Sequence, residues 1–142
     1  MATDGSDEDS ISAILARTQR IAVLGIKTEA QANQPAFYVP QYLVAAGFTV
    51  VPVPVYYPEV REILGQPVYR RLADIPQPVD LVDVFRRSQD LGAHLDDILA
   101  VKPAAVWLQL GIHDAAFTAR LRAAGIAVVE NRCLMVEHRR RQ

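Results

Sequence analysis

Five short, nearly continuous apolar runs recur along the chain, at Ile21–Gly25, Phe48–Val53, Leu81–Phe85, Ala105–Leu110 and Ile126–Val129. Runs without polar alternation are what strands look like when both faces of a sheet are covered, which is the situation of a parallel sheet. Between them the period becomes helical. Leu91, Leu95, Ile98 and Leu99 share one helix face, as do Phe117, Leu121 and Ala124. Tyr38–Ala46 reads as a third helix, with Gly47 as its stop, and Gly125 ends the Phe117 helix in the same way. Strand and helix in alternation predict an α/β chain: a Rossmann-like three-layer sandwich around a mainly parallel five-stranded sheet.

The 142 residues suit one domain, and 51% hydrophobic against 22% charged residues is enough for a buried core. Residues 1–10 read as an acidic tail and 11–142 as a single domain. A short helix is expected behind Ser10 as N-cap, with Ile11, Ile14 and Leu15 on its inner face, running to about Arg17. Residues 54–79 hold five of the nine prolines and read as an irregular excursion with one helical turn at Glu59–Leu64.

Net charge is −1, and the tail and the C-terminal arginines account for much of the charge, leaving 12 basic and 11 acidic residues in 11–136. No broad basic face points to nucleic acid, so an anion site must be local. The single Cys133 excludes an internal disulfide and suits a reducing cytoplasm. The acidic start is the reverse of a secretory signal, no apolar run reaches the length of a membrane span, and no metal-ligand cluster is spelled out.

In parallel α/β sheets ligands sit outside the carboxyl ends of the strands. The first such tip, Gly25-Ile26-Lys27-Thr28, has one glycine of the dinucleotide fingerprint and lacks the other two. The second strand runs on as Val53-Pro54-Val55-Tyr56, with no carboxylate for a ribose until Glu59, which argues against an NAD(P)-type site. Lys27 is read either as a phosphate ligand or as a solvated loop lysine. The nearby Arg86 and Arg87, past the third strand, favour the former because guanidinium groups suit phosphate oxygens.

Gln109 interrupts an apolar run just before Gly111 and needs a partner, from a ligand or a neighbouring loop. Asp83 poses the same problem inside the third strand, and loop N–H groups are its expected partners, as a structural clamp. Cys133 reads as a core thiol ahead of a reactive one. His94 and His138 read as surface residues, while His113 falls at a strand tip, at a helix start or beside a ligand. No Walker A loop, G-x-S-x-G, HExxH or carboxylate pair is present.

The segments IAVLG (21–25), YLVAAGFTVVPV (42–53), LADIPQPVDLVDVFRR (72–87), VWLQLGI (106–112) and AGIAVVENRCLMVEHRR (124–140), in this order, resemble the small stand-alone CoA-binding proteins. These are related to the N-terminal CoA-binding domain of the succinyl-CoA synthetase alpha subunit. The resemblance, over about 20–138, implies a Rossmann-like fold and coenzyme A as ligand, free or as an acyl-CoA, with its 3′-phospho-ADP part at the strand tips. Carried over by position, it implicates Gly25, Ile26, Lys27 and Thr28; Val53, Pro54 and Tyr56; Phe85 and Arg86; and Gln109 with Gly111. The chain departs from the family at Ile26-Lys27, where Ala-Ser is usual, at Val53-Pro54-Val55, where Val-Asn-Pro is usual, and at Asn131-Arg-Cys-Leu134, where Asp-Arg-Cys-Pro is common. It is too short to carry the synthetase's catalytic domains, so a binding protein without catalysis of its own is expected. The competing expectations are a dinucleotide-using enzyme and a regulatory or scaffold protein with a vestigial nucleotide site.

Overall fold

The computed structural model describes residues 5–142, with side chains from Asp7 onward; residues 1–4 of the expected acidic tail lie outside it. Five strands form one parallel sheet: β1 (Arg20–Leu24), β2 (Thr49–Val53), β5 (Leu81–Val84), β6 (Ala105–Leu108) and β7 (Ala127–Val129), in the order β2-β1-β5-β6-β7. A separate two-stranded hairpin, β3 (Glu62–Ile63) and β4 (Gln66–Pro67), lies within the proline-rich excursion. It occupies the place of the expected helical turn at 59–64. The reason is a reversal in which Leu64 (φ 54°) and Gly65 (φ 74°) both take the left-handed conformation that a two-residue hairpin turn requires.

One face of the sheet, through Val82, Val84, Val106 and Leu108, packs on α3 (Leu95–Val101) and α4 (Ala115–Ala123). The other face, through Ile21, Val23, Leu81 and Trp107, packs on α1 (Gly5–Ala16), α2 (Pro35–Ala45) and α5 (Leu134–Arg140). Each core cluster is apolar on both sides, which is why the strands read as continuous hydrophobic runs.

Two helix expectations are corrected. α1 starts at Gly5, so Ser10 lies inside it rather than capping it. The expected single helix through Leu91–Leu99 is a 3-10 segment, Ser88–His94, leading into α3; Gly92 in its middle disfavours regular α pitch. α5 holds Glu137, Arg139 and Arg140, with Arg141 as its C-cap. It is a helix whose buried Glu137 accepts hydrogen bonds from Arg140 (3.1 Å) and Arg141 (2.9 Å), while Glu8 of α1 pairs with Arg141.

β2 is an edge strand and contains Pro52, yet the ladder to β1 is intact. Within a strand a residue's N–H and C=O point to the same side, and the Pro52 carbonyl points outward, where it accepts from Tyr69 N–H at 3.0 Å. The donor that proline lacks is therefore on the side away from β1. No helix among the described residues is long and apolar enough to cross a membrane.

Candidate functional site

The strand order reverses between β1 and β5, and the tips of those two strands open a crevice there. Gly25 (φ 88°) turns the chain out of β1, and a Cβ on it would stand 2.2 Å from the Phe85 carbonyl oxygen at the end of β5. Only glycine permits both that conformation and that approach. The adjoining cavity is about 680 Å³, within the usual range for small-molecule sites. Its walls come from the Lys27 loop, the start of α2 (Gln34–Ala36, Tyr38), the segment Phe85–Gln89 after β5, the segment Gln109–Ile112 after β6, and Cys133 ahead of α5.

Of the residues expected at the site, Lys27, Phe85, Arg86, Gln109 and Gly111 line this cavity. Gly25 borders it through Phe85. Ile26, Thr28, Val53 and Pro54 are buried and do not line it. Ile26 belongs to the core, and Thr28 caps a short 3-10 turn, its hydroxyl and N–H both engaged with Gln31. Tyr56 is 60% exposed and lies beneath Arg86, whose guanidinium carbon is 5.7 Å from its ring centroid, a cation–π distance. Sequence reasoning missed Pro35, Ser88 and the highly exposed Leu110, and it did not foresee that Cys133, which packs against the core, also forms part of the wall.

Lys27 is held by a proline elsewhere in the chain. Pro40, inside α2, has no N–H to offer the carbonyl of Ala36, four residues back. Lys27 N–H takes that carbonyl instead, at 3.1 Å. The Lys27 ammonium is hydrogen-bonded to the side-chain oxygen of Gln34. Gln34 is the N-cap of α2 but makes no side-chain capping bond, so the first turn of this eleven-residue helix opens beside an ammonium. A helix N-terminus and a cation together favour anions.

Arg86 donates from Nε to His94 Nε2 at 3.1 Å, and its guanidinium lies 3.8 Å from Asp90. His94 is thus half-buried rather than a surface residue. Burial, and then the Arg86 charge, hold it below the ordinary imidazole range against Asp97 and Asp90. His138 is likewise no surface residue: it is bonded to the Tyr42 hydroxyl at 2.7 Å and stacked edge-on with Phe48. His113 is exposed and outside the lining; its backbone N–H is bound by Ser88 Oγ at 3.0 Å. The Gly111 N–H is taken by Asn131 Oδ1 at 2.6 Å, tying the β6 tip to the second residue after β7.

Asp83 and Gln109 solve each other's problem. Asp83 Oδ1 accepts from Gln109 Nε2 at 2.6 Å, so the expected loop N–H groups are not its partners. Asp83 Oδ2 is buried without any partner. Burial pushes the carboxyl up to about 7, against the Gln109 hydrogen bond, which lowers it. Among the described residues no group of three metal-ligating side chains stands together.

The cavity therefore offers three cationic side chains, one helix N-terminus and an apolar rim of Tyr38, Leu110 and Ile112. That donor set fits a ligand with phosphates at one part and apolar or flat groups at another. Known proteins agree on the architecture. The chain is 42% identical to the Thermus thermophilus protein solved as cell-free ID.343, with a TM-score of 0.85 over 94% of this chain and 97% of that one. A hypothetical protein from Pyrococcus horikoshii OT3 is 28% identical with a TM-score of 0.85, over 99% and 95% of the two chains. The uncharacterized Bacillus subtilis protein YneT is 30% identical over 128 residues, 90% of this chain and 91% of its own. The family described as CoA binding domain matches residues 19–139, nearly the whole of the described fold, and the chain belongs to that family.

Proposed function

We propose that the protein binds coenzyme A or an acyl-CoA in the cavity at the β1 and β5 tips, and that it acts as a binding protein without catalysis of its own. Lys27, Arg86 and the first turn of α2 would hold phosphate groups of the 3′-phospho-ADP part, and Tyr38, Leu110 and Ile112 would cover its less polar portions. The observation that carries this reading is the convergence of Lys27, Arg86 and Arg87 with the uncapped start of α2 on one cavity, in a member of a CoA-binding family. In a body of almost neutral charge such a focus is a local anion site. With one cysteine and no internal disulfide to keep oxidised, the cytoplasm is the compartment we assign to it.

Thermal-shift and calorimetric titration with CoA, acetyl-CoA, dephospho-CoA, NAD and NADP tests the reading. Saturable CoA binding raises stability as RT ln(1 + [L]/Kd). A shift with NAD and none with CoA reverses the conclusion in favour of a dinucleotide enzyme, and no shift with any of them leaves a scaffold role.

A further inference from the structure

We propose that Asp83 is a positioning residue which, through Gln109, sets the hydrogen-bonding character of the cavity wall, so that binding of an acidic ligand there is coupled to uptake of up to one proton from solvent. The inference rests on the CoA reading above and deepens it, since neither residue has a role there.

The geometry comes first. Asp83 of β5 lies opposite Val23 of β1 and Trp107 of β6 in the parallel register, in the centre of the sheet. Gln109 follows β6 and lines the cavity, although it is only 4% exposed. A single 2.6 Å hydrogen bond joins the wall to the buried carboxyl behind it. With Asp83 ionised, Gln109 must give it an N–H, which turns the amide oxygen away from Asp83. The cavity then meets an acceptor, backed by a buried negative charge, and both are unfavourable to phosphate or carbonyl oxygens.

With Asp83 protonated, the unpartnered Oδ2 becomes the informative atom. A buried O–H without an acceptor is costly, and among the described residues the side chain bonded to this carboxyl is the amide of Gln109, at Oδ1, which the protonated oxygen meets when the carboxyl turns over. Rotation of that amide about its last torsion, which is soft, brings the amide oxygen to the acid and turns its NH₂ group away from it. The wall then offers donors and carries no charge. A ligand rich in oxygen acceptors prefers this state, and by linkage its binding raises the affinity of Asp83 for the proton.

The surroundings leave Asp83 free to behave this way. The strands beside it place Ile21, Val23, Ala105 and Trp107 on this face, none titratable. The helical layer over it carries Asp7, Glu8 and Asp9 on α1, Tyr38 and Tyr42 on α2, and Glu137, His138, Arg139 and Arg140 on α5, with Lys27 and Cys133 in the flanking loops. Of these, Tyr42 is bonded to His138, Glu137 to Arg140, Glu8 to Arg141, and Lys27 to Gln34. Burial and the Gln109 bond remain as the influences on Asp83, and they set its titration near neutrality.

The test is calorimetry of CoA binding to the wild-type chain and to Asp83→Asn, between about pH 6 and about pH 8.5, in buffers of different ionisation heat. CoA carries a phosphate that titrates near neutrality, so the difference between the two proteins is what is read. The wild type is expected to take up a fraction of a proton more per CoA than Asp83→Asn near neutrality. Its affinity should fall several-fold more steeply with rising pH, the limit being tenfold per pH unit for one linked proton. Equal proton counts and parallel pH profiles overturn the coupling while leaving CoA binding standing. Absence of CoA binding at every pH overturns the ligand reading and the coupling together. Should Asp83→Asn not fold, carboxyl carbon NMR of the wild type decides: the Asp83 midpoint must rise when CoA is added, and an unmoved midpoint refutes the proposal.

Discussion

Gly25 and Phe85 meet at the reversal point of the sheet at a distance that leaves no room for a side chain: a Cβ on Gly25 would lie 2.2 Å from the Phe85 carbonyl oxygen. The contact joins the ends of β1 and β5, which also share the bond from Phe85 N–H to the Leu24 carbonyl, 2.9 Å. It sets the width of the crevice into which Lys27 and Arg86 project their charges.

Gly25→Ala should therefore cost roughly 3 kcal/mol or more, combining left-handed strain at φ 88° with a collision against backbone. Urea denaturation measures it. A loss below about 1 kcal/mol would show that the two tips can move apart, and the crevice would not be rigid.

Lys27→Ala and Arg86→Ala should each weaken CoA binding about tenfold, the scale of one charge-assisted contact. Their effects should shrink at high salt, because both lie in a solvent-facing cavity. Calorimetry at two ionic strengths checks both points, and an unchanged affinity removes the substituted residue from the site.

Pro40→Ala supplies the N–H that proline withholds from the Ala36 carbonyl. The new donor competes with Lys27 N–H for that oxygen, so the loop should loosen while α2 becomes more regular. Amide hydrogen exchange should quicken at Lys27 by about tenfold or more and slow within α2. Equal protection of Lys27 in both proteins would mean that other contacts hold the loop.

Asp83 makes stability depend on pH. Its folded carboxyl titrates at about 7 against 3.8 for the model group, so the folded state holds the proton more tightly than the unfolded one. Between those values the folded state binds more protons, and stability must fall as pH rises from about 4 to about 7. A displacement of this size corresponds to a ceiling of roughly 4 kcal/mol, and relaxation of the site will reduce it. Asp83→Asn should flatten that slope and equal or exceed the wild type in stability above neutrality. Denaturation midpoints across the window give the answer; identical slopes would mean that the carboxyl titrates normally.

The five sheet strands were legible because burial on both faces leaves an unbroken apolar run, and nothing else in a small α/β chain looks like that. α5 was not. A glutamate beside three consecutive arginines carries no apolar signal, whereas Glu137 is buried against Arg140 and Arg141, a compensation that only three dimensions display. The hairpin at 62–67 was hidden for a local reason: Leu64 takes a left-handed conformation that side chains rarely adopt and that Asn or Gly usually signals. At the site, Lys27, Arg86 and Gln109 were visible as polar residues just past apolar runs. Cys133 and Pro35 arrive from helix starts, where no period marks a wall residue. The placement of Lys27 depends on what Pro40 cannot do thirteen positions later, and such long-range substitutions of partner leave no local mark.

The outward carbonyl of Pro52 has a consequence for how copies of this chain behave together. An unprotected edge strand can recruit a strand from a neighbouring molecule and seed aggregates. At Pro52 the outer side of β2 presents no donor, and its acceptor is already engaged by Tyr69 N–H, so the hydrogen-bond row that an incoming strand must read is interrupted near its middle. One proline, placed where the internal ladder does not miss its hydrogen, guards this border of the sheet against growth.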